Sequence, residues 1–221
     1  MIGITGAVYG NTGMSMRVIS WEEFISPSLH SSFLISHPSL AVTIGVFDGV
    51  HRGHQSLICR ICNTPDSQLP LPPSTLPTVV TFKQNPLQVL QPDAYTGDIM
   101  SLDKKLQFLS LLGVKLAVLI DFSEKFSKMN GRDFINLLLD KPVKMLALGH
   151  DFRCGRHLDT GLEEIRSLAG ARGVEVWVTP PVMDGGQPVS SSRIRQALAD
   201  GRVGEAERLL GVPPAMASLQ K

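Results

Sequence analysis

A chain of 221 residues can bury one large core, or at most a main domain with a small annex. Its formal charge of +1 lacks the basic excess of a protein that wraps nucleic acid, and no apolar run reaches the length of a membrane span. Three cysteines are too few and too odd a set for a disulfide framework, and the first residues lack a secretory signal, so a cytoplasmic protein is expected.

Residues 1–15 are rich in Gly, Thr and Ser without periodicity and read as a disordered or spurious extension, with Met14 and Met16 as candidate starts. The main domain is expected over 16–211, opening with a short edge strand and turn at 16–24 and a polar connection at 26–39. Residues 41–47 are apolar almost throughout and rich in β-branched side chains, as a strand covered on both faces must be. Asp48-Gly49 then turns the chain, and Leu57, Ile58 and Ile61 recur at the spacing of a helix face over 55–61.

At such a strand-to-helix junction several backbone N–H groups lack carbonyl partners, and the helix dipole adds partial positive charge, so an anion is favoured there. His51 and His54 are three residues apart, which lets both imidazoles face the same anion, and Gly53 removes the side chain that would hold a ligand off the backbone. A lone histidine is more often a core or surface residue than a catalyst, but a pair at a glycine turn reverses those odds. Cys59 and Cys62 have the spacing of a redox or zinc pair, yet they lie one to two helical turns beyond the histidines. Packing as small apolar residues is the better reading for them.

Residues 63–77 carry five prolines and form a loop, and strand two follows at 76–82. Ser101 caps a helix running to Leu112, stopped by Gly113, and strand three covers 114–120. A loop at 121–126 leads to a helix over 131–139, and strand four spans 143–149. Thr160 with Glu163 makes a capping box for a helix to Arg172, and strand five covers 174–179. A serine at 190–192 caps a helix through Leu198, Asp200-Gly201 breaks it, and 203–210 is the final helix.

Five alternations of strand and helix make a doubly wound α/β fold with a Rossmann-like parallel sheet of five strands. In such a sheet ligands bind beyond the carboxyl ends of the strands, where the strand order reverses. If strands one and four are neighbours, the turn at 48–54 faces the turn at 149–156, and the loop after strand five delivers Ser190 to Arg195 to the same edge. Arg193 and Arg195 add fixed positive charge, and the serines add donors for phosphate oxygens.

Gly-Val-Phe-Asp-Gly-Val-His-Arg-Gly-His-Gln, residues 45–55, resembles the signature of bacterial FAD synthetases, the FMN adenylyltransferase module of the riboflavin kinase/FAD synthetase family. More distantly, His-x-Gly-His is similar to the mark of the nucleotidylyl transferase superfamily. Gly149 to Arg156 is similar to the family's Gly-x-Asp-Phe-Arg-Phe-Gly turn, with Cys154 in place of the second phenylalanine. Ser190 to Arg195 is similar to Ser-Ser-Thr-x-Ile-Arg, and Ala206 to Gly211 matches the end of the module. Asn85 stands where the family often has histidine.

The resemblance implies ATP and FMN as substrates, Mg²⁺ held through ATP phosphates with no protein metal ligand, and no nucleic-acid, membrane or obligate protein partner. It implies catalysis by His51, His54 and Arg193, and ATP binding by Gly45, Phe47, Asp48, Gly49, Gly53, Ser190, Ser191, Ser192 and Arg195. It also implies a flavin site from Asn85, Asp121, Phe122, Phe126, Gly149, Asp151, Phe152 and Arg153. In plainer readings Phe122 and Phe126 fill core gaps, Asp151 to Arg153 form a structural turn, and Ser190 to Arg195 is a capped, solvated helix start. Residues 212–221 are too few for a riboflavin kinase barrel, so adenylyl transfer without flavokinase activity is expected. The alternatives are another adenylyltransferase, for nicotinamide mononucleotide or a pantetheine phosphate, and a non-catalytic flavin or nucleotide sensor.

Overall fold

The computed structural model describes residues 8–9, 15–27, 39–62 and 74–211. In chain order these form β1 (Val8–Tyr9), β2 (Met16–Ser20), α1 (Trp21–Ile25), β3 (Ser39–Ile44), α2 (Arg52–Ile61), β4 (Thr75–Phe82) and α3 (Pro86–Leu90). There follow α4 (Leu102–Leu111), β5 (Leu116–Ile120), α5 (Glu124–Ser127), α6 (Gly131–Leu139), β6 (Val143–Gly149), β7 (Arg153–Cys154) and β8 (Thr160–Gly161). The chain closes with α7 (Leu162–Gly170), β9 (Glu175–Thr179), the hairpin β10 (Met183–Asp184) and β11 (Gln187–Pro188), α8 (Ser191–Ala199) and α9 (Val203–Leu210).

The main sheet runs β1-β2-β5-β4-β3-β6-β9, and every pairing is parallel except that of β1 with β2. The doubly wound class therefore holds, with seven strands in the sheet among the described residues where five were expected. Met16, Val18 and Ile19 are fully buried, so β2 is a full parallel member beside β5, and α1 rather than a turn follows it. Val8–Tyr9, expected in an extension outside the domain, instead pair with Arg17 and Met16, and the Tyr9 carbonyl accepts from Ser110 Oγ at 3.1 Å. The remainder of residues 1–14, residues 28–38 of the expected polar connection, residues 63–73 of the expected loop and the tail at 212–221 lie outside the described residues.

Strand alternation divides the core. Leu40, Val42, Leu116, Val118 and Ile120 face one side with α6 and α7, whereas Ala41, Ala117 and Leu119 face the other with α2 and α4. Each fully buried Leu or Ile contributes about 1.5–3 kcal/mol of transfer free energy, which is why near-continuous apolar runs become the central strands. A third cluster of Val189, Ile194, Ala197, Ala206 and Leu209 joins α8 to α9.

Local corrections have local causes. The expected capping box at Thr160 does not form: Thr160 pairs with Cys154 in a small hairpin, its hydroxyl bonds Asp159, and α7 starts after Gly161 with no side-chain cap. The loop expected at 121–126 contains α5, capped by Ser123, which accepts from the Phe126 amide at 3.1 Å. By contrast Ser101 and Ser190 cap α4 and α8 as their sequences imply.

For function the decisive feature is β3 lying between β4 and β6. Connections from β3 proceed to one side and β6 to β9 to the other, so the strand order reverses between β3 and β6. Thr43 is level with Ala147, and the turns leaving both strands open at the same edge.

Candidate active site

The turn from β3 to α2 is strained. Phe47 has φ 53° and Val50 φ 39°, values that bulky and β-branched residues rarely adopt, next to Gly49 at φ 81°. Gln55 braces this turn, donating to the carbonyls of Val50 at 2.9 Å and Leu210 at 2.8 Å. His51 is the N-cap of α2, and its Nδ1 accepts from the His54 amide at 3.4 Å, so the neutral ring carries its proton on Nε2.

The two imidazoles stack, with centroids 3.6 Å apart and planes at 18°, and Phe47 lies 5.0 Å from the His54 ring. A Cβ on Gly53 would come within 3.2 Å of the His51 ring, tighter than usual, so the ring would have to give way by a few tenths of an ångström, whereas the Val189 carbonyl oxygen at 3.6 Å would be in ordinary contact. Likewise a Cβ on Gly45 would meet the Phe47 ring at 3.2 Å. Burial pushes the His51 imidazole down to about 4. Burial, then the charges of His51 and Lys105, hold His54 well below its usual range, and its buried Nδ1 is unpartnered. Both rings are thus neutral donors at pH 7.

The helix α8 docks directly on this turn. Ser191 Oγ donates to the Asp48 carbonyl at 2.9 Å, and the Arg195 guanidinium pairs with the Asp48 carboxylate while Nε donates to the Gly97 carbonyl at 3.2 Å. Asp48 is 5% exposed and also accepts from the Ile99 amide at 2.8 Å. Burial raises its carboxyl, against the lowering action of that amide and of Arg195.

Arg193, two residues before Arg195, is engaged elsewhere. Its guanidinium donates to Glu205 at 2.9 and 3.1 Å, to the Asp184 carboxylate at 3.2 Å and to the Asp184 carbonyl at 2.8 Å. Held by two carboxylates, Arg193 braces the β10–β11 hairpin against α9, and no contact joins it to the histidine turn among those the structure shows for it. Ser190 is taken by capping, accepting from the Arg193 amide at 3.2 Å, and Ser192 is exposed in the first turn of α8.

The expected flavin residues divide. Gly149 ends β6 and Asp151, Phe152 and Arg153 follow it, at the sheet edge where β3 also ends; the Phe152 amide closes on the Gly149 carbonyl at 3.1 Å, Asp151 is exposed and Phe152 is half-buried. Arg153 Nε is bound to the Leu158 carbonyl at 2.8 Å. The remaining four have structural partners. Asn85 is 5% exposed and caps α3, accepting from Leu87 and donating to Asp98 at 3.0 Å. Asp121 accepts from Lys83 and Gln84. Phe122 and Phe126 pack on one another and into a cluster with Phe82, Trp21 and Phe134.

Sequence reasoning passed over Lys105, Asp98 and the strap around Gly97 to Ile99. The second lysine of the Lys104-Lys105 pair, at an inward helix position with Leu102, Leu106 and Leu109, was the available signal for Lys105. Among the described residues no three His, Cys, Asp or Glu side chains gather to hold a cation. With Asp48 committed to Arg195 and Ile99, these residues do not build a magnesium site. Burial pushes the Cys62 and Cys154 thiols up to about 12, which makes them poor nucleophiles and metal ligands.

The profile of the FAD synthetase family matches residues 35–193. A bifunctional riboflavin kinase/FMN adenylyltransferase of Escherichia coli K12 is 32% identical over 188 residues, covering 84% of this chain and 58% of the relative. This chain therefore spans little more than half the length of that relative. An FAD synthetase of Listeria monocytogenes is 26% identical over 190 residues, covering 81% of this chain and 75% of its own. Among solved structures, a crystal structure described as a macrolide-efflux protein from Streptococcus pneumoniae superposes with a TM-score of 0.70 at 28% identity, covering 90% of this chain and 62% of that one. With the family profile aligned over the histidine turn, the turn after β6 and the start of α8, the chain belongs to the FAD synthetase family.

Proposed function

We propose that this chain transfers the adenylyl group of ATP to FMN, releasing FAD and pyrophosphate. An FMN phosphate oxygen forms a bond to the α-phosphorus in line, and the bond from that phosphorus to the bridging oxygen of the β-phosphate breaks. Pyrophosphate leaves with the electron pair, and no protein nucleophile is required. The observation that carries the reading is the docking of α8 on the histidine turn, through Ser191 to the Asp48 carbonyl and Arg195 to the Asp48 carboxylate.

That contact sets the starts of α2 and α8, the two imidazoles and the Arg195 guanidinium at one edge of the sheet, an arrangement suited to a polyphosphate. The neutral imidazoles offer N–H groups to phosphoryl oxygens as charge grows on them, and Arg195, aligned by Asp48, supplies the fixed cation. Ser192 adds a hydroxyl donor for the outer phosphates, while Ser191, its proton given to the Asp48 carbonyl, holds α8 against the turn. The flavin is assigned to the neighbouring turn at Gly149 to Arg153. Mg²⁺ belongs to the nucleotide in this reading, held by phosphate oxygens and water.

The test is pyrophosphate release and FAD formation with ATP and FMN. Turnover dependent on FMN supports the reading. Turnover with nicotinamide mononucleotide or a pantetheine phosphate in its place favours another adenylyltransferase, and flavin binding without turnover favours a sensor.

A further inference from the structure

Lys105 projects from α4 into the ends of two central strands and is 8% exposed. Its Nζ donates to the Phe82 carbonyl at 2.9 Å, to the Val46 carbonyl at 3.2 Å and to Thr81 Oγ1 at 3.4 Å. Thr81 Oγ1 itself donates to the Val46 carbonyl at 3.0 Å, so hydroxyl and ammonium form one closed network. Val46 directly precedes the strained Phe47, and Phe82 ends β4. One buried ammonium therefore stitches the first residues of the histidine turn to the neighbouring strand. An ammonium taken out of water at such cost persists only where acceptors surround it.

We infer that Lys105 is a positioning residue for the adenylyl transfer, holding the strained turn so that His51 and His54 keep their placement against the reacting phosphates. The inference rests on the activity proposed above. Burial chiefly, then the charge of His51, opposes a proton on His54, and the Lys105 charge adds to both in the same direction. The charged and titratable groups facing Lys105 are His54 on α2 with His51 stacked upon it, Asp48 in the turn, Asp98 in the strap and, through Asp48, Arg195 on α8. On its own helix, Asp103 bonds Tyr9, away from the network. Burial lowers Lys105 to about 8, with Asp98 and Asp48 acting in the opposite direction, so it is charged at pH 7.

Lys105→Met preserves most of the side-chain volume and removes the ammonium. The expected result is a fall in kcat for FAD formation of about 10- to 100-fold with KM for ATP and FMN little changed, since misplacement acts on the transition state. In the substrate-free protein the His54 Cε1–H resonance, followed by NMR, should titrate at higher pH than in the unsubstituted chain. A folded K105M protein with kcat within about twofold and an unchanged His54 titration overturns the inference. Should K105M fail to fold, the unsubstituted chain decides. Its His54 resonance should shift with a midpoint near pH 8 as Lys105 loses its proton, and a flat response there overturns the inference. If the unsubstituted chain makes no FAD, the activity reading fails, while the NMR arm still decides whether Lys105 acts on His54.

Discussion

Two neighbouring functions are separated at the histidine turn by single side chains. His51 caps α2 through Nδ1 and is left with Nε2 as a donor, while His54 stacks on it with a buried, unpartnered Nδ1. In the proposed reaction the imidazole of His54 is a donor to developing charge, so His54→Ala should lower turnover by on the order of 10²-fold or more. Flavin fluorescence quenching should give the same FMN affinity for this variant, because the ring lies on the phosphate side of the crevice in the proposed arrangement. Gly53→Ala should act by displacement, as the added methyl would sit 3.2 Å from the His51 ring. A loss of about tenfold in kcat with an unchanged melting temperature is the expected outcome, read from steady-state kinetics and a thermal melt.

Among the elements, α8 is the one that docks on the histidine turn. Arg193 and Arg195 are two positions apart on one helix, so they project to nearly opposite sides. One reaches Asp184 and Glu205, the other Asp48. Local sequence reads both as phosphate ligands, because nothing within the helix says which side will meet the histidine turn. Arg195→Met strips the cation from a carboxylate that is 5% exposed, and stability should fall by about 3 kcal/mol as well as turnover. Urea unfolding would measure this loss, and adding Asp48→Asn to the same chain should restore part of it, since the uncompensated charge is then gone. If the two losses simply add, the pair does not couple α8 to the turn.

Across the whole molecule, buried bases set the response to acid. His51 has a folded value of about 4, below its ordinary value of 6.5, so the unfolded chain binds more protons between these two pH values. Stability is then complete above about pH 6.5 and declines as pH falls toward 4, by about 3 kcal/mol for this residue alone. His54, also lowered, acts in the same sense. Melts at pH 7 and near pH 4.5 should differ by this trend, and His51→Gln should flatten it. Lys105 adds a second slope at the other end. Lowered to about 8 from 10.5, it makes stability rise with pH between those values.

The chain by itself determined the α/β class, the central strands as apolar runs, the glycine turn with its two imidazoles and the serine caps of α4 and α8. Each of these depends on residues within one turn or one pleat of each other, where periodicity and backbone freedom are decisive. Tertiary structure alone decided that β3 and β6 are neighbours, that Val8–Tyr9 and Met16–Ser20 extend the sheet, and that Asn85, Phe122 and Phe126 are occupied by capping and packing. It also assigned Arg195 to Asp48, a partner 147 residues away, and sent Lys105 inward to the carbonyls of Val46 and Phe82. Such choices are settled by which groups must share a buried edge, and that competition exists only once the sheet has closed over its core.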